Sequence, residues 1–442
     1  MLRSPFPPDP VIAAREIPPA KRVPPPSASS MAISLCGVAG LIGGVLLLRS
    51  VSLPPDLEPL IAVAATALPM LLWAGFVERA HRDRAAGLDW DAPRPWPATL
   101  ATTGVKLVGL WGTWAVIAAV YWLARPLHGS IGYGAETAAL LLPWLIPLSA
   151  AYVLLVDRVM RSPRDELWHA GAALLLRPDV DRTHLADHAR AWLVKGFFLG
   201  FMFSILPAGT AAVTTLPLAA LLGDPVRLAG FAIAGVFTFD LLFGTVGYLC
   251  ALRGLGTHIR SANPYLSGWV AALICYPPFV LMGPGSILSY TPGTRPWSDW
   301  LAGNEAAILL YGALLAVLAG VYAWSTVIFG LRFSNLTHRG IITNGPYRWF
   351  RHPAYLSKNA FWWLAHLPFL TTTGPGEAVR NCLLLLLVNA VYWWRAKTEE
   401  RHLRADPDYV SYADWTERRC VIPRLRRSIS RRFGSGASRA PP

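Results

Sequence analysis

The sequence predicts an all-α fold, a polytopic bundle of transmembrane helices. Of the 442 residues, 54% are hydrophobic and only 15% are charged. Apolar runs of about 20 residues recur along the chain and are long enough to cross the hydrocarbon layer of a bilayer. These runs are continuous instead of alternating with polar residues, and lipid offers no water to backbone groups. Helices are therefore predicted, and a β-barrel is disfavoured.

Ten apolar segments are candidate spans. The ninth is short and ends at Pro368, so it is either a full crossing or a re-entrant or tilted segment. The ten lie at about 32–49, 57–77, 100–124, 136–156, 195–222, 226–252, 266–283, 305–331, 355–372 and 379–396.

The basic residues indicate the orientation of the ten predicted spans. If the N-terminus lies inside, 34 of the 40 Lys and Arg residues fall on inner segments, and Lys106 lies within a span. Because Lys and Arg accumulate on the cytoplasmic side, both termini are predicted to be cytoplasmic. The Ala/Arg/Pro-rich composition and the short basic tails favour a bacterial inner membrane. The outer loops hold Arg49, Arg125, Arg227, Arg295 and Arg380.

The net charge of +14 does not require a nucleic-acid partner. The positive residues are spread over five inner segments and both tails, so membrane topology and anionic lipid explain them more simply. Four of the five cysteines fall in predicted spans, and no Cys-x-x-Cys spacing occurs. Neither a disulfide framework nor a zinc site is indicated.

Composition divides the chain into four predicted regions. Residues 1–30 hold nine prolines and several basic residues, which predicts a disordered tail. Residues 31–304 form a transmembrane region whose role the sequence does not indicate. Residues 305–423 form a C-terminal core, and residues 424–442 form a second basic, disordered tail.

The longest inner loop, about 157–194, carries a helix start and a possible metal-binding pattern. The segment 162–166 has a cap residue, an early Pro and an acidic first turn, which predict a surface helix. Asp181, His184 and His188 could share one helix face. No Glu accompanies them in a His-Glu-x-x-His arrangement and their neighbours are charged, so an ordinary charged face is favoured and no metal is predicted.

Three polar residues lie inside predicted spans. Asp240, near the middle of the sixth span, must face the bundle interior or a wet cavity, because exposure to lipid costs several kcal/mol. Pairing with another helix is favoured, and lining of a substrate cavity is the alternative. His366 and Asn389 are predicted to be interhelical hydrogen-bond partners.

The most informative feature is a dense polar cluster near the C-terminus. It combines Tyr, Arg, His and paired Glu at one face of an otherwise apolar protein, which is costly unless the cluster binds a ligand. A cofactor is the predicted ligand. In chain order the elements are Gly345-Pro-Tyr-Arg, Arg351-His-Pro-x-Tyr355, an apolar helix, Arg395-x-x-x-Glu399-Glu400-x-x-Leu403, Tyr409-x-x-Tyr412 and Ile422-Pro423.

In these elements, over about 332–423, the chain resembles the C-terminal core of the isoprenylcysteine carboxyl methyltransferase family, which is related to the phospholipid N-methyltransferases. One departure is the stretch 405–408, Ala-Asp-Pro-Asp, where family members often carry a short Phe-Gly. The resemblance implies an S-adenosylmethionine-dependent membrane methyltransferase. It implies a cofactor pocket at the cytosolic face and a lipophilic acceptor, a small molecule or a membrane lipid, that enters from the bilayer.

The resemblance also implies roles for individual residues. Arg395 matches the arginine near the acceptor end of the family's site, and Arg395 and Glu400 are the predicted catalytic residues. The predicted cofactor contacts are Gly345, Pro346, Tyr347, Arg351, His352, Tyr355 and Glu399.

The chemistry of the cofactor supports the same cluster independently. S-adenosylmethionine presents an ammonium, a carboxylate, an adenine and a sulfonium, so its pocket needs an anion, a cation and a stacking surface. Arg351 can pair with the carboxylate, and Tyr347, Tyr355 or Trp349 can stack on the adenine.

Glu399 and Glu400 are both candidates for the cofactor's ammonium or ribose hydroxyls. On a helix, Arg395 and Glu399 are four residues apart and share a face, whereas Glu400 is turned away by about 100°. Only one glutamate therefore needs to point into the pocket.

Two acceptor chemistries remain open at this stage. Transfer from a sulfonium is an in-line displacement that mainly requires alignment and exclusion of water. A carboxylate acceptor would need a cation, which Arg395 could provide. An amine acceptor would need a base such as His352 or a glutamate.

Two other functions are compatible with parts of the sequence. A sterol-type membrane reductase using NADPH also carries an Arg-His-Pro-x-Tyr element. A lipid-binding protein or transporter would account for the many helices before residue 332, but no paired halves or matched broken helices are evident. The turn at 345–348 and the paired glutamates favour the methyltransferase. The sequence indicates no protein partner.

Overall fold

The computed structural model describes residues 24–124, 132–221, 223–283 and 285–419. The structure is 71% helical with almost no strands, which confirms the predicted all-α class. The predicted tail residues 1–23 and 424–442 lie outside the described residues. The same is true of Arg125, Cys420 and Ile422-Pro423.

Thirteen α-helices and one two-residue strand pair make up the described architecture. Several helices begin at side-chain caps, since the Asp165, Asp181, Asp224 and Asn304 side chains accept backbone N–H bonds at their starts. The elements are α1 (Met31–Ser50), α2 (Glu58–Leu72), α3 (Trp96–Ala124), α4 (Gly132–Arg158), α5 (Glu166–Leu174), α6 (Arg182–Thr214), α7 (Pro225–Leu249), β1 (Ser261–Ala262), α8 (Leu266–Leu273), α9 (Trp297–Trp300), α10 (Glu305–Val327), β2 (Thr337–His338), α11 (Pro353–His366), α12 (Pro375–Leu403) and α13 (Pro407–Arg419).

Seven described helices are long and apolar enough to cross a membrane. They are α1, α2 with the turn that follows it, α3, α4, α6, α7 and α10, and they coincide with the first six predicted spans and the eighth. The chain is an integral membrane protein. The other three predicted spans, the seventh, ninth and tenth, are not among the seven.

The three segments differ from the prediction for different reasons. α8 ends at Leu273, and turns lead into Pro277-Pro278, so the seventh predicted span is not one continuous helix. α11 has 14 residues, too few for a perpendicular crossing. α12 has 29 residues, but Arg380, Asn381 and Asn389 interrupt its apolar character.

The predicted helix in the longest inner loop is present as α5. The Asp165 side chain accepts the Trp168 N–H at 3.1 Å, which caps the helix where the sequence predicts its start. α5 is partly buried in the protein instead of lying only on its surface, because Trp168 packs against α3 and is 1% exposed. A Cβ at Gly171 would lie 1.8 Å from the Val105 carbonyl oxygen, so glycine is required for this close approach.

The main apolar core lies between α1, α2, α6 and α7. Its largest fully buried side chains include Phe198, Phe243, Met70 and Leu206. α10 packs along α7 on one side and α11 on the other. The core therefore fixes α10, and α10 in turn orients the C-terminal helices.

The segment between α10 and α11 is fixed by contacts with distant parts of the chain. β2 pairs with β1, with His338 opposite Ser261. Arg339 is 2% exposed, and its guanidinium donates to five backbone carbonyl oxygens around the ends of α7 and α10. Burial lowers the pKa of Arg339 to about 9.

Part of the predicted N-terminal tail is ordered against this same segment. The Ala28 N–H donates to the Ile341 carbonyl at 2.8 Å, and the Thr343 hydroxyl donates to the Pro25 carbonyl at 2.9 Å. Residues 24–30 thus lie, outside any helix or strand, against residues 341–344. Proline prevents a packed core of its own, but these residues use the hydrogen-bonding groups of 341–344 instead.

Candidate active site

A cavity opens between α10, the segment 328–344, the turn at 345–348 and the helices α11, α12 and α13. The empty space between its walls, including its open mouth, is about 1270 Å³. Ordinary small-molecule sites enclose about 300–1,000 Å³. Six of the predicted site residues line this cavity: Tyr347, Arg351, His352, Tyr355, Arg395 and Glu399.

The glycine-proline turn supports the cavity from behind. Gly345 has φ +55°, and an added Cβ would lie 3.0 Å from Ile328, so both conformation and space favour glycine. Pro346 is buried. Neither residue lines the cavity; instead they direct Tyr347 into it, and the Tyr347 hydroxyl donates to the Ser325 carbonyl at 3.2 Å. Burial raises the pKa of Tyr347.

Glu400 lies behind the cavity wall in a network of cations. His352 Nε2 is 3.0 Å from Glu400 Oε1, Lys397 Nζ is 2.9 Å from Oε2, and an Arg351 nitrogen is 3.5 Å from Oε1. Burial by itself would raise the pKa of Glu400, but the hydrogen bonds from His352 and Lys397 outweigh burial and lower this pKa to about 2. Glu400, a predicted catalytic residue, therefore contacts Arg351 and His352 but does not line the cavity.

Glu399, which immediately precedes Glu400 on α12, faces the cavity. Its Oε1 is 3.2 Å from Arg395 Nε, the i, i+4 pairing that the helical spacing predicts. The Tyr355 hydroxyl also donates to this oxygen. Helix geometry therefore divides the two glutamates: Glu399 is accessible from the cavity, and Glu400 holds the wall together.

Arg395 is 3% exposed and is held by residues that the motif does not contain. Its NH2 group donates to Asn335 Oδ1 at 2.6 Å, and its guanidinium lies over the rings of Tyr276 and Tyr355 at 5.5 and 5.4 Å. The Asn335 N–H donates to the Tyr248 hydroxyl at 2.8 Å. The transmembrane region before residue 305 therefore helps to build the site.

Arg351 joins the cavity to α13. Its guanidinium contacts Thr416 Oγ1 at 3.1 Å, the Ala413 carbonyl at 3.0 Å and Glu417 at 3.2 Å. Burial lowers the pKa of Arg351 and the neighbouring Glu400 raises it, with a net increase. Trp349, a predicted candidate for adenine stacking, is 54% exposed and does not line the cavity.

Several cavity residues lie outside the predicted set. Asn335 and Tyr276 carry no local signal, because their role depends on contacts with residues about 60 positions away in the sequence. Lys358 has a signal that could have been used: it lies three residues after Tyr355, so it shares that residue's face of α11. A lysine in an otherwise apolar helical segment is a functional candidate by default.

Two of the other polar residues have interhelical roles. Asp240 of α7 accepts from the Tyr322 hydroxyl at 2.9 Å and from Thr326, both on α10, so the favoured prediction of interior pairing is confirmed. Asn389 of α12 accepts from Trp363 of α11 at 3.1 Å, as predicted. His366, predicted to form an interhelical hydrogen bond, instead makes an edge contact at 5.4 Å with the ring of Tyr290, which lies outside the helices.

The Asp181, His184 and His188 pattern is divided among other contacts. Asp181 caps α6, and His188 Nε2 is 2.8 Å from the Thr113 hydroxyl. His184 stacks on His169 at 4.8 Å. In the described parts of the chain, no group of three or more His, Cys, Asp or Glu side chains is arranged to hold a metal ion.

The fold and the site define a class: a polytopic α-helical membrane protein with a cavity, lined by charged and aromatic side chains, between its last helices. Residues 307–405 match the model of the isoprenylcysteine carboxyl methyltransferase (ICMT) family. This match confirms the resemblance seen in the motifs and indicates a membrane methyltransferase. The matched stretch runs from α10 to the end of α12, and it ends at Ala405, where the sequence departs from the family pattern. Neither the curated proteins nor the solved structures include a match to this chain.

Proposed function

We propose that this protein transfers a methyl group from S-adenosylmethionine to a lipophilic acceptor at the cytosolic face of a bacterial inner membrane. The observation that carries the proposal is the shared cavity. Arg351, His352, Tyr355, Arg395 and Glu399 all line it, although they come from two motifs more than 40 residues apart. All five lie within the family-matched stretch.

The residues present fit the proposed cofactor. Glu399 provides an anion for its ammonium, Arg351 a cation for its carboxylate, and Tyr355 an aromatic face for its adenine.

When bound, the cofactor supplies an electrophilic methyl group on a positively charged sulfur. The protein's part is to align the two reactants and exclude water. Phe329, Phe333 and Leu336 line the cavity and provide an apolar wall. Glu399 and Asn335 bind the Arg395 guanidinium and hold it in one orientation in the cavity.

The two acceptor chemistries make different demands on these residues. A carboxylate acceptor needs no base. For an amine acceptor, Glu399 or His352 would take the proton, because both line the cavity.

Calorimetric titration of the full-length protein in detergent with S-adenosylhomocysteine tests the proposed cofactor. Glu399→Gln keeps the side-chain shape but removes the charge, and binding is expected to weaken by about 10-fold or more. Glu377→Gln is the matched control, since Glu377 lies on the same helix and pairs with Arg380 away from the cavity. Its affinity should equal that of the wild type.

Titration with NADPH separates the two enzyme classes. If NADPH binds and S-adenosylhomocysteine does not, the proposal is wrong and the reductase is supported. The acceptor class can be tested by incubating inside-out membrane vesicles with methyl-labelled cofactor and extracting the lipid. Label released by mild base indicates a methyl ester, and base-stable label indicates an N-methyl group.

A further inference from the structure

Lys358 lines the cavity from α11. It is six residues beyond His352, which stands immediately before α11, so its backbone lies about 9 Å further along the helix. Ser357 and Asn359 flank it, and the aromatic residues Phe361 and Trp362 follow. The Lys358 side chain is partly buried, and a partly buried cation needs a compensating interaction.

Three aromatic rings surround the Lys358 ammonium. Its Nζ lies 5.1 Å from the Tyr322 ring centroid, 5.0 Å from that of Trp362 and 5.6 Å from that of Tyr392. Such contacts stabilise a cation through the faces of the rings, but they do not use its three N–H donors. Among the described residues, no hydrogen-bond acceptor and no carboxylate is bonded to this nitrogen.

The neighbouring carboxylate is engaged elsewhere. Both oxygens of Asp240 accept from hydroxyl groups of α10, those of Tyr322 and Thr326. Tyr322 lies between the two charges, because its hydroxyl donates to Asp240 while its ring faces Lys358. Asp240 therefore does not form an ion pair with Lys358 within 4 Å.

Arg395, the cation predicted to hold the acceptor, is by contrast already paired. Its charge is matched by Glu399 at 3.2 Å, and it also donates to Asn335. The Tyr355 and Tyr392 rings contact each other at 5.4 Å, with Arg395 over the first and Lys358 over the second. The two cations thus lie along one aromatic wall, and Lys358 is the one with unused donors.

We propose that Lys358 binds an oxyanion of the acceptor at the membrane-side end of the cavity. This inference rests on the proposed function. It makes Lys358, in addition to Arg395, a residue that binds the polar group of the methyl acceptor. A lipophilic carboxylate and the phosphate of a phospholipid both present this chemistry. The apolar part of either molecule would extend toward the surrounding bilayer.

Binding of radiolabelled lipids to the full-length protein in detergent tests the proposal. The probes are oleate, dioleoyl phosphatidate and, as a neutral reference, oleyl alcohol. Lys358→Met keeps the length of the side chain and removes its charge, so the affinity for at least one of the anions is expected to fall by about 10-fold or more. The affinity for oleyl alcohol should stay within about twofold.

Two further variants control for folding and for general charge effects. Lys358→Arg keeps the positive charge and should retain most of the anion affinity. Lys195→Met is the matched control, because Lys195 also lies over an indole ring, that of Trp192 at 4.6 Å, but does not line the cavity. Its affinities should be those of the wild type.

The outcomes separate this inference from the proposed function. Loss of oleate binding in Lys358→Met indicates a carboxylate subsite, and loss of phosphatidate binding indicates a phosphate subsite. If both anions bind Lys358→Met as tightly as the wild type while S-adenosylhomocysteine still binds both proteins, the inference fails and the proposed function stands. If S-adenosylhomocysteine does not bind the wild type, the proposed function fails whatever the anions do.

Discussion

Replacing Glu400 should damage the fold more than the binding of cofactor. Its carboxylate is 8% exposed and contacts the His352 ring and two cations, Lys397 and Arg351. The Lys397 side chain is 49% exposed, so water screens that pair and its contribution is about 0.5 kcal/mol. The other two contacts are more buried and contribute about 1–1.5 kcal/mol each as charged hydrogen bonds.

The sum predicts that Glu400→Gln loses about 3 kcal/mol of stability, because Arg351 and His352 keep their partly buried positions without the carboxylate. The measurement is thermal unfolding of detergent-purified protein, followed by intrinsic tryptophan fluorescence. Glu400→Gln should unfold several degrees below the wild type. Glu399→Gln should also unfold below the wild type, because its partner Arg395 is 3% exposed and loses its counter-charge.

The same variants, titrated with S-adenosylhomocysteine well below their unfolding temperatures, should differ in affinity. Glu399→Gln should lose about 10-fold or more in affinity, and Glu400→Gln should lose only a few-fold. The reasoning is refuted if Glu400→Gln has wild-type thermal stability and no measurable affinity, since Glu400 would then contact the ligand directly.

Three further predictions follow from other contacts. The pKa of Glu400 is lowered from 4.5 to about 2 in the folded protein, so the stabilisation by its carboxylate is complete above pH 4.5 and is lost as the pH falls toward 2. Between pH 5 and 3, the unfolding temperature of the wild type should therefore fall more than that of Glu400→Gln. Equal slopes for the two proteins would contradict this assignment. Asn335→Ala removes the amide oxygen that accepts a hydrogen bond from Arg395 at 2.6 Å. The rate of methyl transfer should fall by about 10-fold, while the affinity for S-adenosylhomocysteine stays within about twofold. An unchanged rate would show that Arg395 does not need this contact. Gly171→Ala brings a Cβ to 1.8 Å from the Val105 carbonyl oxygen, so the unfolding temperature should drop clearly. Gly104→Ala is the control and should be neutral, because a Cβ there meets nothing within 4 Å. Similar effects for both variants would refute the close packing of α3 and α5.

The prediction of spans shows how far local pattern extends. Seven of ten predicted spans correspond to long apolar helices, because a continuous apolar run can satisfy its backbone in lipid only as a helix. The seventh failed because apolarity alone does not distinguish a helix from an apolar loop, and Pro277-Pro278 terminates the helical conformation. The contact between residues 24–30 and 341–344 could not be predicted, because composition does not reveal a partner segment more than 300 residues away.

For the site, the sequence by itself predicted six of the residues that line the cavity. The two motifs contain the charged and aromatic groups, and helical periodicity already puts Arg395 and Glu399 on one face. Tertiary structure alone decided their surroundings. It brought Asn335 and Tyr276 to Arg395, turned Glu400 into the wall, and enclosed Lys358 in aromatic rings. The physical reason is that periodicity acts within one helix, whereas the environment of a charge depends on every helix packed around it.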